Sequence, residues 1–246
     1  MYQSLIDEIH ADFRKAAGGR EPIVERRYHK HDQYITYDIR TAVYREIIKG
    51  YKSRILDLPF EERIKMAQDL FSLHIGTLGH TAIQVLAWSV KELSPANFPQ
   101  LDAMMDHYRS WSHVDSLCLD VLQPMLTSFP QETVKQLEIW NRSENRWKRR
   151  TSVVVFVRKA GKSGQYTDIA LALCENLVWD PEDIVQKGVG WALKDLMRGD
   201  RDRIIEYVKN LRTRGVSAVI TLYAIRDIKG PERQEILLAS GRSEKI

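Results

Sequence analysis

Apolar residues recur along most of this chain at three- and four-residue steps, the spacing that lines one face of an α-helix. Residues 58–73 are typical: Pro59 and the acids Glu61 and Glu62 suit a helix start, and Ile64, Ala67, Leu70, Phe71 and Leu73 follow at helical intervals. The same period predicts helices near 2–16, 39–56, 78–93, 101–109, 113–128, 131–141, 166–178, 182–198, 201–212, 216–226 and 231–239. Short separators with turn residues, such as Ser94-Pro95, Asp180-Pro181, Gly215 and Gly230-Pro231, divide them. Short helices joined by short turns describe an all-α chain of stacked antiparallel helix pairs, taken as one domain over 1–246.

Residues 151–157 (TSVVVFV) break the period, being β-branched and aromatic. An isolated strand cannot satisfy its backbone, and no partner strand is evident. The run is therefore expected as a fully buried helix continuous with residues 145–150.

Within 181–198, Val185, Val189, Ala192, Leu193 and Leu196 form one apolar stripe. At about 100° per residue, Trp191 falls roughly 140° from the centre of that stripe, near Lys187, Lys194 and Arg198. Either a neighbouring element covers this indole, or it is offered to an anionic, ring-bearing partner. Gly188 and Gly190 flank it, each costing a helix about 1 kcal/mol relative to Ala. They make sense where a neighbouring helix or a ligand approaches the backbone closely.

A second tryptophan precedes a carboxylate in Trp111-Ser-His-Val-Asp115. With Ser112 as N-cap, Asp115 falls at N3 and completes a capping box. That reading places Trp111 at N′ opposite Ser116, which gives the indole no apolar staple partner. The other reading is chemical. A carboxylate beside an aromatic platform suits cleavage of a glycosidic bond, because it stabilises an oxocarbenium-like sugar and can orient water. Cationic alkylated purines suit such a site, since the base already leaves readily without an acid.

Charge sharpens the picture. The net charge is +4, yet residues 142–162 hold eight basic residues and one acid, a local +7 that leaves −3 for the rest. Arg142, Arg146, Lys148, Arg149 and Arg150 form either a solvated face or a polyanion-binding surface. Cys118 and Cys174 sit in apolar helical patterns, as buried free thiols do, which favours a reducing compartment. No basic-then-apolar leader and no membrane-length apolar run is evident, so a cytoplasmic location is expected. His29 and His31 lie among basic residues without a Cys or carboxylate cluster, so a phosphate-touching loop suits them better than a metal site. Lys159-Ala-Gly-Lys-Ser163 lacks the strand and spacing of a phosphate-binding loop.

Three segments together resemble the HEAT-like DNA alkylation-repair glycosylases of the AlkD-like group. They are Trp111 through Asp115, Arg146-Trp147-Lys-Arg-Arg150-Thr151, and Gln186-Lys-Gly-Val-Gly190-Trp191-Ala-Leu. Their order and spacing agree from about residue 100 to 230. The resemblance implies a right-handed HEAT-like or ARM-like α-solenoid that holds duplex DNA on a basic concave face. It implies monofunctional removal of cationic alkylated bases such as 3-methyladenine and 7-methylguanine by a monomer, without metal or other cofactor. Asp115 would be the catalytic carboxylate, Trp111 and Trp191 would frame the lesion deoxyribose, and Arg150 would contact DNA. Arg149, Lys148, Arg146, Lys187, Lys194 and Arg45 are the accompanying candidates for phosphate contacts. One segment departs: before Arg45, Asp38 and Ala42 stand where the family usually has Gly and Pro. The rival reading is a HEAT-like scaffold without chemistry, and Asp115 discriminates the two.

Overall fold

The computed structural model describes residues 2–29 and 33–239; His31 of the basic loop lies outside them. The described residues are helical apart from turns and one small hairpin, as the apolar period predicts. The chain divides into two compact units, Met1–Pro130 and Gln131–Ile246.

In the first unit α1 (Tyr2–Ala16) buries Leu5, Ile6, Ile9 and Phe13, one face at three- and four-residue steps. It ends at Gly18 and Gly19, both with positive φ, where the Gly19 N–H closes back on the Arg14 carbonyl at 2.9 Å. Then β1 (Ile23–Val24) pairs antiparallel with β2 (Ile35–Thr36), Ile23 opposite Thr36 and Val24 opposite Ile35. The hairpin was not expected from the sequence, since two residues a side are too few to leave an alternating signal; it offers no partner to residues 151–157. Next come α2 (Thr41–Leu56), α3 (Phe60–Ser72) and α4 (Gly76–Trp88). The buried Arg63 of α3 donates to both oxygens of Glu92 at 2.9 and 2.8 Å and to Ser89 at 2.9 Å, tying α3 to the segment that leaves α4. A 3-10 turn (Pro95–Asn97) leads into α5 (Phe98–Met105).

The helix expected over 113–128 is real but not uniform. It comprises α6 (Trp111–Leu117), a π turn (Cys118–Leu122) and α7 (Gln123–Ser128). Pro124 has no N–H, and its ring crowds the carbonyl four residues back. The chain widens just ahead of it, so the Gln123 N–H reaches five residues back to the Cys118 carbonyl.

The second unit contains α8 (Pro130–Asn141), α9 (Arg146–Val154), the short α10 (Lys159–Lys162), α11 (Thr167–Leu177), α12 (Asp183–Leu196), α13 (Arg201–Thr213), α14 (Ala218–Ala224) and α15 (Gly230–Leu238). Asn145 caps α9, its side chain accepting from the Trp147 N–H at 2.8 Å. The β-branched run is helical only as far as Val154, after which residues 155–157 close as turns. Val153, Val154, Val155, Phe156 and Val157 are all fully buried, and burial overrides their strand propensity.

The central helix of this unit is α12, packed between α9 and α14. A Cβ on Gly190 would lie 2.7 Å from Tyr223 Cβ and 2.9 Å from the Ile220 carbonyl oxygen of α14. On Gly188 it would meet the Arg150 and Val154 side chains of α9 at 3.2 and 3.3 Å. Neighbouring helices, rather than a ligand, account for both glycines. Cys118 and Cys174 are free and buried, as their patterns suggest. Among the described residues no helix is long and apolar enough to cross a membrane.

Candidate active site

The predicted residues fall into both units. Arg45, Trp111 and Asp115 belong to the first; Arg146, Lys148, Arg149, Arg150, Lys187, Trp191 and Lys194 belong to the second.

In the first unit, the start of α6 differs from the capping box expected from sequence. Ser110, not Ser112, is the N-cap, and its Oγ accepts from the Ser112 N–H at 3.0 Å. Trp111 is therefore the first helical residue rather than N′, and Asp115 stands one turn further along, past the capping position. By sequence Ser112, with Asp115 three residues on, is the better cap; a long-range contact selects Ser110 instead. Buried Ser110 Oγ lies 2.6 Å from His29 Nε2, and His29 Nδ1 lies 2.6 Å from Glu25 Oε2. From Ser110 the chain of hydrogen bonds continues to Ser112 Oγ at 2.6 Å and on to His80 Nε2 at 3.0 Å.

This chain of polar contacts holds Trp111. The His29 ring stacks between Tyr34 (centroids 4.1 Å apart) and Trp111 (5.7 Å, planes 15° apart), and the indole N–H points to the Tyr28 carbonyl at 3.5 Å. Trp111 is thus half-buried and fixed from one side. The close approach of Tyr34 also explains Gly76, where a Cβ would overlap the tyrosine ring. Burial, together with the positive field of His29, pushes the His80 imidazole down to about 4. Burial also holds the His113 imidazole well below its ordinary value, and its Nε2 lies 3.0 Å from the Gly76 carbonyl oxygen. Burial also acts to raise the Glu25 carboxyl, but hydrogen bonds from His29 and the Tyr28 and Arg27 N–H groups outweigh it and leave the group below its usual range.

A cavity of about 390 Å³ opens between α2, α4 and the π turn, with Arg45, His80, Gln84, Ser116 and Asp120 in its lining. Ser116 follows Asp115 directly, so the cavity reaches the turn of α6 that carries the predicted carboxylate. Sequence reasoning missed His80, Gln84 and Asp120, which no motif joins. Pro124, four residues after a helical carboxylate, is the one local hint of the widened turn at Asp120.

In the second unit, Trp191 is half-buried and its indole N–H donates to Asp195 Oδ2 at 3.0 Å. Asp195 is 1% exposed, receives the Arg158 N–H at 2.8 Å, and faces Lys194 Nζ at 3.0 Å. Arg158 has φ +54°, a left-handed backbone that this bond helps to hold. Asp227 stands 3.5 Å from both Lys194 and Arg198, and Lys187 pairs with Asp183. The cations around Trp191 are therefore balanced by Asp183 and Asp195 of α12 itself and by Asp227, which lies outside that helix. Asp195 could have been suspected as the i+4 neighbour of an indole.

The basic run is likewise engaged in structure. Arg149 pairs with buried Asp180 at 2.6 Å and donates to the Ser143 and Glu144 carbonyls, each at 2.9 Å. Arg150 is buried and donates to the Ile184 carbonyl at 2.7 Å, joining α9 to α12. Lys148 is buried too, while Arg146 lies over the Trp147 ring at 4.9 Å and pairs with Glu182 at 3.2 Å. Among the described residues, no group of three His, Cys, Asp or Glu is placed to hold a metal ion.

Comparison with known proteins bears on this arrangement. No curated protein matches the sequence. Among solved structures, a predicted DNA alkylation repair enzyme from Enterococcus faecalis superposes with a TM-score of 0.73. The match covers 82% of this chain and 92% of that one at 17% identity, a likeness of fold. The model of the DNA alkylation repair enzyme family matches residues 9–228. With nearly its whole length matched, the chain belongs to the DNA alkylation repair enzymes and has a role in alkylation repair.

Proposed function

We propose that the chain is a monofunctional DNA glycosylase that hydrolyses the N-glycosidic bond of cationic alkylated purines, 3-methyladenine and 7-methylguanine, in duplex DNA. The observation that carries this reading is the start of α6. Ser110 takes the cap, so Asp115 is not needed there, and it stands one turn from a Trp111 held by the His29 stack.

In the proposed reaction the C1′–N bond breaks and its electron pair leaves with the already cationic base. Asp115 stabilises the oxocarbenium-like sugar and accepts a proton from the water that adds to C1′. No acid need protonate the departing base, which is consistent with His80 being neutral near pH 7. Trp111 would bear on the lesion deoxyribose, and Trp191 would contact the DNA in an orientation fixed by its Asp195 bond. Of the predicted cations, Arg45, Lys187 and Arg146 keep the exposure to reach phosphates, Lys187 and Arg146 by exchanging their surface partners Asp183 and Glu182. Lys148, Arg149, Arg150 and Lys194, buried or paired as they are, would act chiefly by holding α9 and α12 in place.

Methylated duplex DNA incubated with the protein should yield free methylated purines and alkali-labile sites, and Asp115→Asn should not support release. No release by the wild type, or equal release by Asp115→Asn, would leave a binding scaffold without chemistry.

A further inference from the structure

A line of hydrogen bonds beside Trp111 leads from the surface of the first unit to its cavity. Glu25 Oε2 lies 2.6 Å from His29 Nδ1, and His29 Nε2 lies 2.6 Å from Ser110 Oγ. Ser110 Oγ lies 2.6 Å from Ser112 Oγ, which lies 3.0 Å from His80 Nε2. His29 and Ser110, in the middle, are buried. At one end the Glu25 side chain is 22% exposed. At the other, His80 lines the cavity together with Ser116, which shares a face of α6 with Ser112. Capping α6 needs only Ser110, whose Oγ takes the Ser112 N–H. The two imidazoles and the second hydroxyl are extra to that task.

This line has two arrangements, and each matches every donor to an acceptor. In the first, both imidazoles are neutral. His80 Nε2–H donates to Ser112, Ser112 to Ser110, Ser110 to His29 Nε2, and His29 Nδ1–H to the Glu25 carboxylate. In the second, every bond between His80 and His29 is reversed. His29 then carries protons on both nitrogens against Glu25, and His80 Nε2 accepts. The two differ by one proton gained at His80 Nδ1, the ring nitrogen left to the cavity. A proton entering there shifts one proton along each bond, and the His29–Glu25 pair gains one; only N–H and O–H bonds form and break. Burial pushes the His80 imidazole down to about 4, so the proton passes through this ring rather than resting on it. Around the line, His113 stands edge-on to His80 and is held neutral by burial, and Tyr34, Tyr37 and Tyr44 are kept protonated by burial. Arg45 and Asp120 line the same cavity, and Asp115 adjoins Ser116.

We propose that His80, Ser112, Ser110, His29 and Glu25 form a proton relay that carries a proton from the cavity to the surface of the first unit. The source of the proton rests on the glycosylase reading; the relay itself does not. Under that reading the proton is the one Asp115 takes from the water that adds to C1′. The relay clears it through Glu25 and restores the Asp115 carboxylate.

The test is nitrogen NMR of the imidazoles in the intact protein, which reads the protonation of each ring nitrogen without DNA. Across the pH range in which the His29 nitrogens change state, neutral His80 should switch from the Nε2–H to the Nδ1–H tautomer. Ser112→Ala keeps the backbone N–H that Ser110 accepts but removes the middle hydroxyl. In that variant His29 should still titrate with unchanged circular dichroism, and the His80 switch should be lost. Ser112→Thr, which keeps a hydroxyl, should restore it. A His80 tautomer that ignores the state of His29, or one that follows it equally in Ser112→Ala, overturns the proposal. A coupled switch in a protein that releases no base from methylated DNA would instead sink the glycosylase reading and leave the relay standing.

Discussion

Replacing Gly190 by Ala tests the packing around Trp191. The added Cβ would sit 2.7 Å from Tyr223 Cβ and 2.9 Å from the Ile220 oxygen. Carbon atoms normally rest at about 3.5–4.0 Å, so α14 must retreat by roughly 0.8 Å or more. The obstructing atoms belong to or adjoin backbone, and the displaced face carries fully buried Ile220. Overpacking of this kind costs about 1–3 kcal/mol, against which the better helix propensity of Ala returns about 1 kcal/mol. The helical Gly50 of α2 has nothing within 4 Å of its Cβ position, so Gly50→Ala should gain up to about 1 kcal/mol unopposed. Urea unfolding at constant m reads both changes as shifts in midpoint, downward for Gly190→Ala and upward for Gly50→Ala. A Gly190→Ala protein stabilised as much as Gly50→Ala would refute the packing argument.

Three further outcomes are expected. His80 has a folded pKa near 4, below the usual imidazole value near 6.5, so the unfolded chain takes up its proton first. Stability should therefore be full above pH 6.5 and fall as the pH drops toward 4, and His80→Asn should flatten that fall when unfolding is measured across the range. Asp195→Asn removes the charge that faces Lys194 and loosens the acceptor of the Trp191 indole; it should cost about 3 kcal/mol in denaturant unfolding and shift the tryptophan emission. Arg45→Ala and Lys187→Ala should each reduce the slope of log affinity against log salt for duplex DNA by about 1, read by fluorescence anisotropy, whereas unchanged slopes would remove these residues from the phosphate contacts.

Where local periodicity decides structure, the chain was readable: the expected first helix coincides with α1, and the stripe of α12 lies inward as its spacing requires. The buried fate of residues 151–157 followed from the lack of a partner strand, although the helix stops at Val154, where Arg158 must turn back to Asp195. The parts that were not readable depend on long-range contacts. Ser110 outcompetes Ser112 as the cap because His29, 81 residues earlier, bonds its hydroxyl. Trp191 looked like an indole among cations because Asp227 reaches Lys194 and Arg198 only in the folded second unit; Asp195, one turn on in the same helix, was locally legible. The same holds for the cavity: the residues 37–45 that depart from the family pattern supply part of its wall, and Asp120 joins them only through the π turn.

The central claim is that Asp115 carries the chemistry, and single-turnover release of 3-methyladenine from methylated duplex measures it most directly. With DNA affinity held equal by direct binding measurement, Asp115→Asn should lower the rate constant by about 10²–10³, the scale of losing one group that stabilises transition-state charge. A rate within a factor of two of the wild type would contradict the account.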